Sequence, residues 1–175
     1  MKCSIFVGTS LDGFLARLNG TFDFLPDDGG EAHGYDEFIA IVDVIVIGRK
    51  TYETILEFPE WPYGKKQVVV LSTRKLDFSK FPDASVEQMS ATPEEIVRGL
   101  DARGFQHAYV DGGLTAQGFL RAGLIQKITV TRVPVLIGEG RPLFGPLPHD
   151  VKLRHLATQS YKSGLVKSEY EVLMG

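Results

Sequence analysis

Apolar residues recur along the chain in two alternating patterns. Short, nearly uninterrupted apolar runs occur at Cys3–Val7, Val44–Ile47, Gln67–Leu71 and Ala108–Val110. Runs of this kind are typical of strands that are buried on both faces, as in a parallel sheet. Between them, helices are predicted at Glu31–Val42, Lys50–Leu56, Pro93–Ala102 and Thr115–Ala122. The alternation predicts an α/β protein in which helices connect parallel strands.

The C-terminal third of the chain has a different pattern. The segment Ile125–Ile137 is long and rich in strand-forming residues, and Val151–Ser160 and Leu165–Leu173 are typical of an antiparallel pair. Near the N-terminus, Phe14–Phe24 contains Asn19-Gly20 and predicts a loop or a hairpin. These segments predict a three-layer α/β fold with a mostly parallel central sheet and an antiparallel C-terminal edge. The length of 175 residues fits one domain spanning residues 1–175.

Composition narrows the classes of function. The net charge of −3 argues against a protein held on nucleic acid by a general basic field, so no nucleic-acid partner is expected. Gly8 and Asp12 interrupt the first apolar stretch, which therefore predicts neither a signal peptide nor a membrane span. Because Cys3 is the single cysteine, a reducing, cytoplasmic location is expected. The four histidines lack the spacing of a metal site, so no bound metal is expected.

Candidate chemistry is concentrated where the apolar runs end, because ligands of open α/β sheets bind at the carboxyl ends of the strands. Basic and hydroxyl side chains follow two of the runs, and paired glycines follow a third. The segments are Gly48-Arg49-Lys50-Thr51, Ser72-Thr73-Arg74-Lys75 and Asp111-Gly112-Gly113-Leu114-Thr115. Paired glycines before a helix let a backbone approach a phosphate, and the basic pairs would meet the phosphates of a nucleotide. The alternative interpretations are an ordinary glycine-rich turn and solvated surface charge.

Five segments, taken in order along the chain, resemble signatures of the dihydrofolate reductase-like superfamily. They are Ser10–Gly13, Val46–Glu53, Val70–Arg74, Val110–Gly113 and the Pro-Val-Leu-Ile-Gly-Glu-Gly run at 134–140 with Pro142-Leu143-Phe144. The chain most resembles bacterial proteins related to the reductase domain of the bifunctional riboflavin-biosynthesis deaminase-reductase. This resemblance implies a sheet of about eight strands, NADPH as the cofactor and a homodimer.

The resemblance also implies roles for the residues at the strand ends. Gly48, Arg49 and Thr51, with Lys50 beside them, would hold the phosphates and the nicotinamide side of NADPH. Ser72, Thr73 and Arg74 would face its adenosine end, and Gly112, Gly113, Leu114 and Thr115 would cradle its pyrophosphate. The basic residues favour NADPH over NADH, because NADPH carries an additional 2′-phosphate. Dihydrofolate reductases join the two glycines by a cis peptide bond, which is therefore expected here as well.

Hydride transfer to a C=N or C=O bond also needs a proton donor. Asp12 and Asp111 are the predicted catalytic acids, because both lie at strand ends beside the expected nicotinamide. Each has a structural alternative: Asp12 would cap or brace the following loop, and Asp111 would orient the glycine turn. Dihydrofolate reductases carry a carboxylate on the helix before the Gly-Arg segment. No acid falls cleanly at that place, and Glu31 or Asp36 would substitute only if the helix were shifted.

Aromatic residues predict the substrate class. Tyr35, Phe38 and Trp61 would form an apolar pocket and stack on a flat heterocycle. The sequence therefore predicts an NADPH-dependent reductase that transfers hydride to a pterin- or aminopyrimidine-type substrate, such as 5-amino-6-(5-phosphoribosylamino)uracil. Riboflavin-pathway reductases show basic residues around the first loop, whereas here Arg17 is the cation nearest to it. The alternatives are dihydrofolate reductase proper and a nucleotide-binding regulatory protein without turnover.

Overall fold

The secondary structure follows the predicted alternation of strands and helices, in a computed structural model that describes residues 1–26, 31 and 33–173. Within these residues the strands are β1 (Lys2–Ser10), β2 (Phe14–Ala16), β3 (Val44–Gly48), β4 (Gln67–Leu71), β5 (Val86–Met89), β6 (His107–Asp111), β7 (Lys127–Val133), β8 (Arg141–Pro142), β9 (Leu153–Ser160) and β10 (Val166–Val172). The helices are α1 (Tyr35–Ala40), α2 (Arg49–Ile55), α3 (Pro93–Ala102) and α4 (Gly113–Arg121). Among these helices, none has the length and hydrophobicity that crossing a membrane requires.

Eight of the described strands form one sheet in the order β5-β4-β3-β6-β1-β7-β10-β9. The six strands from β5 to β7 in this order run parallel, and β10 is antiparallel to both of its neighbours. Parallel neighbours require crossover connections, and all four helices lie in such connections. The predicted mostly parallel sheet with an antiparallel C-terminal edge is therefore confirmed.

The alternation of side chains along each strand divides the apolar core between the two faces of the sheet. In β3, Val44 and Val46 pack with residues of α3 and α4, whereas Ile45 and Ile47 pack with residues of α1 and α2. All four of these side chains are fully buried. Helices thus cover both faces of the sheet, which confirms the predicted three-layer architecture.

Three elements differ from the expectation. Helix α1 is shorter than the predicted Glu31–Val42, because Gly34 has φ +83°, a left-handed conformation that a right-handed helix cannot include; residue 32 lies outside the described residues. Strand β5 was not expected, since its two central residues are polar and it lies at the sheet edge. Strand β2 does not form a hairpin within Phe14–Phe24 but pairs with β8, more than 120 positions further along the chain.

Candidate functional site

A cavity of about 920 Å³ lies at the carboxyl ends of three adjacent strands, β3, β6 and β1. Parallel strands bring these ends to the same edge of the sheet. In the register of β3 with β6, Ile47 pairs with Asp111, so the turns that follow the two strands lie side by side. The β2–β8 pair forms another wall of the cavity. The site is therefore assembled from segments that span most of the chain.

Two strand-end glycines form a tight cradle in this cavity. A Cβ on Gly48 would lie 2.7 Å from Thr115 Oγ1, and a Cβ on Gly112 would lie 2.6 Å from Thr51 Oγ1. Each glycine thus faces a threonine hydroxyl on the helix that follows the other strand. Gly112 also has φ +94°, which disfavours any residue with a side chain. Bare backbone and two threonine hydroxyls therefore line this part of the cavity, a donor set suited to phosphate oxygens.

The turn between Gly112 and Gly113 differs from the expectation in one respect. All peptide bonds in the described part of the chain are trans, including this one, so the expected cis bond is wrong. A Cβ on Gly113 would lie 2.8 Å from the backbone oxygen of Pro142 and 3.3 Å from Leu15 Cδ1. Gly113 is therefore needed for close packing of α4 against the β2–β8 pair.

The predicted cofactor residues fall into two neighbouring depressions. The main cavity is lined by eight of them: Gly48, Arg49, Lys50, Thr51, Gly112, Gly113, Leu114 and Thr115. Ser72 and Thr73 instead line a groove of about 320 Å³, together with Met89 at the end of β5 and the following Ser90 and Ala91. Arg49 lines both depressions and so connects them.

Arg74 lies apart from both depressions. Its backbone N–H donates to Ser72 Oγ at 3.0 Å, and its carbonyl accepts from the same hydroxyl at 2.7 Å. These bonds shape the turn after β4, while the side chain of Arg74 is exposed. The structure therefore does not place the Arg74 guanidinium with the other predicted cofactor residues.

Arg49, which lines both depressions, forms an ion pair with Glu53 one turn further along α2. The two side chains are 29% and 50% exposed. Ion pairs of such exposure contribute little free energy, because water solvates both charges. A phosphate entering the cavity would compete with Glu53 for the guanidinium at low cost.

Asp111 lies in the main cavity with three tyrosines around it, Tyr35, Tyr63 and Tyr109. Its Oδ1 accepts a 2.8 Å hydrogen bond from the N–H of Gly112. Burial raises the pKa of Asp111, and this effect outweighs the opposing effects of the Gly112 N–H and of the Tyr109 and Tyr63 hydroxyls. A carboxyl in such surroundings is biased towards its protonated form, as a general acid requires.

The same surroundings raise the pKa values of all three tyrosines. Burial, followed by the charges of Asp111 and Asp36, raises the pKa of Tyr35 to about 12. Burial and the nearby Asp111 charge raise the pKa values of Tyr63 and Tyr109 well above their ordinary value. All three therefore stay neutral phenols near pH 7 and retain their O–H donors.

Of the three predicted substrate-binding aromatics, only Tyr35 lines the cavity. Phe38 stacks on Phe6 with ring centroids 4.8 Å apart, and Trp61 packs edge-on against Tyr63 at 5.6 Å. Phe38 and Trp61 therefore lie behind the rings that face the cavity and hold them in place. The structure does not place these two side chains in the cavity lining, because side-chain order within an aromatic cluster depends on tertiary packing.

Asp12 is exposed and lies outside the cavity lining. Its carboxylate accepts hydrogen bonds from the N–H groups of Gly138 at 2.8 Å and Ile137 at 3.2 Å. A hydrogen bond with Ser10 is the largest of the effects that lower its pKa. An ionised, exposed carboxylate that binds two backbone donors braces the loop before β8. The structure thus favours the structural alternative for Asp12 over the catalytic role.

The cavity also contains residues that the sequence reasoning missed: Phe6, Phe22, Leu25, Phe58, Tyr63, Tyr109 and Arg141. Tyr109 precedes Asp111 by two positions in β6, so strand periodicity alone indicates that both side chains share a face. Tyr63 lies in the segment between α2 and β4, and Arg141 lies in the two-residue strand β8; no local pattern indicates the direction of either side chain. Arg141 Nε donates to the carbonyl of Leu18 at 3.3 Å. In the described part of the chain, no three His, Cys, Asp or Glu residues are grouped as metal ligands.

Comparison with known proteins gives consistent matches. A family model described as the RibD C-terminal domain matches residues 2–167. The solved structure of a putative riboflavin biosynthesis protein from Shewanella sp. PV-4 has a TM-score of 0.92 and 33% identity, covering 99% of this chain and 100% of that chain. The dihydrofolate reductase HdrB of Haloferax volcanii is 38% identical over 86 residues, which are 46% of this chain and 43% of that protein.

A more distant match concerns the fold. It is a diaminohydroxyphosphoribosylaminopyrimidine deaminase/5-amino-6-(5-phosphoribosylamino)uracil reductase from Thermotoga maritima, with a TM-score of 0.77 and 16% identity. The match covers 98% of this chain and 56% of that chain. Together with the family match, it confirms the superfamily that the five sequence segments indicated.

The raised pKa of Asp111 predicts how stability depends on pH. The folded protein retains a proton that the unfolded chain releases above the ordinary pKa of 3.8. The free energy of unfolding therefore loses a contribution as the pH rises from that value to the folded-state pKa. Asp111→Asn lacks this titration, so its stability relative to the unmodified protein should rise over this interval and then level off.

Urea denaturation over a pH series from about 3 to 8 measures this difference. Asp83→Asn, at an exposed position, is the matched control and should show no such trend. A stability difference for Asp111→Asn that is the same at every pH would contradict the raised pKa.

Proposed function

Because the chain belongs to the RibD C-terminal domain family, we propose that it is an NADPH-dependent reductase that transfers hydride to an aminopyrimidine- or pterin-type heterocycle. The observation that carries the proposal is a single cavity with two chemically different groups of residues. One group combines strand-end glycines, threonine hydroxyls and cations, and the other combines the Asp111 carboxyl with aromatic rings. The first suits a phosphate-bearing cofactor and the second suits a flat nitrogen heterocycle that must be protonated.

The cradle around Gly48 and Gly112 fits the phosphates of the cofactor. The Thr115 hydroxyl lies 2.7 Å from the position of a Cβ on Gly48, and the Thr51 hydroxyl lies 2.6 Å from that of a Cβ on Gly112. Bare backbone and hydroxyl donors therefore lie side by side, as phosphate oxygens require. The first N–H groups of α4 follow directly after Gly112 and add donors with the positive end of the helix dipole. When bound, NADPH supplies a hydride, which is a hydrogen nucleus with two electrons, and leaves as NADP⁺.

The position of Arg49 supports NADPH rather than NADH. It connects the main cavity with the groove of Ser72 and Thr73, where the adenosine end is proposed to lie. A 2′-phosphate there would accept charge-assisted hydrogen bonds from the guanidinium. NADH has no 2′-phosphate and could not form these bonds.

Asp111 is the proposed proton donor. Reduction of a C=N or C=O bond consumes one hydride and one proton, and the carboxyl would pass its proton to the ring nitrogen or carbonyl oxygen. The carboxylate that remains would regain a proton from solvent before the next turnover. Its raised pKa favours this cycle, because the carboxyl returns to the protonated form more readily than an exposed aspartate does.

The substrate is proposed to bind between aromatic side chains. Phe6 and Tyr35 line the cavity with ring centroids 5.8 Å apart in an edge-on arrangement, and Phe22 and Phe58 approach each other at 6.4 Å. A flat heterocycle would stack on these rings while its polar edge meets Asp111. Arg17 lies outside the cavity lining, where it forms an ion pair with Asp23 at 2.6 Å.

Dihydrofolate is the second candidate substrate. The relative from Haloferax volcanii bears the name dihydrofolate reductase and is 38% identical over 86 residues. A pterin and an aminouracil present similar amide and amino groups to a carboxyl, so the cavity accommodates the chemistry of both.

Cofactor preference can be tested by thermal unfolding. We expect NADPH to raise the melting temperature more than NADH does at equal concentration, because bound ligand stabilises the folded state in proportion to ln(1 + [L]/Kd). Arg49→Ala should weaken NADPH binding about tenfold and abolish the difference. Arg74→Ala is the matched control and should retain it. Equal shifts with both cofactors in the unmodified protein would contradict the proposed role of Arg49.

Turnover is tested by NADPH oxidation with dihydrofolate and with the phosphoribosylaminouracil precursor of riboflavin. We expect one of the two to be reduced, and Asp111→Asn to lower kcat by about 100-fold or more through loss of the proton donor. Asp12→Asn, outside the cavity, is the control and should leave most of the activity. NADPH binding with no turnover of either substrate would instead support a nucleotide-binding regulatory protein.

A homodimer is proposed on the basis of β9. All eight residues of this edge strand are exposed, and they include Leu153 and Leu156. One edge of β9 pairs with β10, and the other edge is the end of the sheet. A second copy packed on this edge would cover the apolar side chains and the unpaired strand edge. We expect the protein to elute as a dimer in size-exclusion chromatography and Leu156→Lys to shift it towards the monomer. A monomer for the unmodified protein would contradict the proposal.

A further inference from the structure

Arg141 lines the main cavity, although it belongs to the two-residue strand β8 and none of the proposed ligand contacts includes it. We propose that Arg141 is a phosphate-binding residue, which contacts its ligand from the wall formed by β2 and β8. This inference rests on the proposed reductase function and deepens it, because the phosphate belongs either to the dinucleotide or to a phosphorylated substrate in the same cavity.

The guanidinium has hydrogen-bond donors that the described residues do not use. Its Nε donates to the carbonyl of Leu18 at 3.3 Å, which is the side-chain hydrogen bond of Arg141 within the described part of the chain. The N–H donors on Nη1 and Nη2 are therefore available to a ligand. Both atoms lie against the bare backbone of Gly20, where a Cβ would stand 2.9 Å from Nη1 and 3.0 Å from Nη2. Since Gly20 also lines the cavity, these donors lie at its wall.

Arg141 also differs from Arg49 in its charge balance. Arg49 forms an ion pair with Glu53, whereas none of the ion pairs among the described residues includes Arg141. The Arg141 side chain is nevertheless half-buried. A cation that is partly withdrawn from water without a counter-charge is unfavourable, and an anion supplied by a ligand would compensate for this cost.

The charge of the cavity is opposite in sign to that of the whole chain. The chain has 19 Lys and Arg and 22 Asp and Glu residues, with a net charge of −3. Among the described residues, the cavity lining contains the cations Arg49, Lys50 and Arg141, and its one acid is Asp111. Excess positive charge in a cleft attracts anions. The cavity is therefore complementary to a ligand, or a pair of ligands, with several phosphate groups.

The backbone next to Arg141 is held beside the glycine cradle. The carbonyl of Pro142 accepts a hydrogen bond from Gln117 Nε2 at 3.1 Å and lies 2.8 Å from the position of a Cβ on Gly113. On the other side, Arg141 pairs with Ala16 of β2. These contacts fix Arg141 close to the start of α4, where the cradle is proposed to bind the cofactor pyrophosphate. A guanidinium at this place can contact that pyrophosphate or the phosphate of a substrate bound beside it.

Arg141→Gln removes the charge and keeps a polar side chain. We expect it to weaken the binding of a phosphate-bearing ligand about tenfold, as for loss of hydrogen bonds between charged groups. Isothermal titration with NADPH and with NADH tests the cofactor as the source of the phosphate. Both Kd values should rise if the pyrophosphate is bound, because both cofactors contain it. Arg121→Gln, an exposed position at the end of α4 outside the cavity lining, is the matched control and should change neither value.

A second titration tests the substrate as the source of the phosphate. It compares 5-amino-6-(5-phosphoribosylamino)uracil with the same compound lacking the phosphate, each in the presence of NADP⁺. If Arg141 binds the substrate phosphate, Arg141→Gln should raise the Kd of the phosphorylated compound about tenfold. The Kd of the other compound and those of NADPH and NADH should then stay within about twofold of the values for the unmodified protein.

Salt dependence separates the charge of Arg141 from a structural effect of losing its hydrogen bond to Leu18. Attraction between a guanidinium and a phosphate weakens with ionic strength, so affinity should fall more steeply between about 50 and 500 mM NaCl in the unmodified protein than in Arg141→Gln. Arg141→Lys keeps the charge without the planar fork, so it should keep the salt dependence and lose affinity about threefold. This variant provides the test if Arg141→Gln does not fold.

The outcomes distinguish this inference from the proposed function. Unchanged Kd values for NADPH, NADH and the phosphorylated compound in Arg141→Gln would overturn the role of Arg141, even if the enzyme is active. A loss of affinity that is the same at every salt concentration would also overturn it, since the effect would then be structural. If Arg141→Gln weakens binding as expected but the unmodified protein reduces neither candidate substrate, the phosphate contact holds and the reductase function fails.

Discussion

The parallel register of β3 with β6 is the constraint on which the site depends. Because Ile47 pairs with Asp111, the two strands end together and Gly48 and Gly112 come side by side. Each following helix then contacts the turn after the other strand: Thr51 of α2 lies against Gly112, and Thr115 of α4 lies against Gly48. A slip of one residue would invert the faces of a strand that is buried on both sides, so the core that covers the sheet also maintains this register.

The same edge of the sheet places the Asp111 carboxyl where burial opposes its ionisation. Asp111 ends a strand whose other residues are buried, and burial raises its pKa. An aspartate in such a position costs stability when it is ionised. Groups with perturbed pKa values in a cavity are characteristic of functional sites, and three neutral tyrosines line the cavity around this one without adding a competing charge.

Part of the cavity wall comes from segments that are distant in sequence from β3 and β6. The β2–β8 pair joins residues near 15 with residues near 141, and Gly113 packs against the carbonyl of Pro142. Asp12 braces the loop before β8 through the N–H groups of Ile137 and Gly138. This bracing accounts for an acid at position 12 of the first motif, although the Asp12 side chain lies outside the cavity lining.

The sequence by itself determined the layers of the fold and the strand-end positions of the predicted cofactor residues. The sequence shows local features directly: buried strands, helix-start signals such as Thr92-Pro93, and glycines after strands. A parallel topology then brings the carboxyl ends of the strands to one edge of the sheet. Only the tertiary structure decided which aromatic rings face the cavity, that Tyr63 joins its lining, that Asp12 and Arg74 lie outside, and that Gly112–Gly113 is trans. These outcomes depend on side-chain directions in loops and on contacts between segments distant in sequence, and neither is encoded in local spacing.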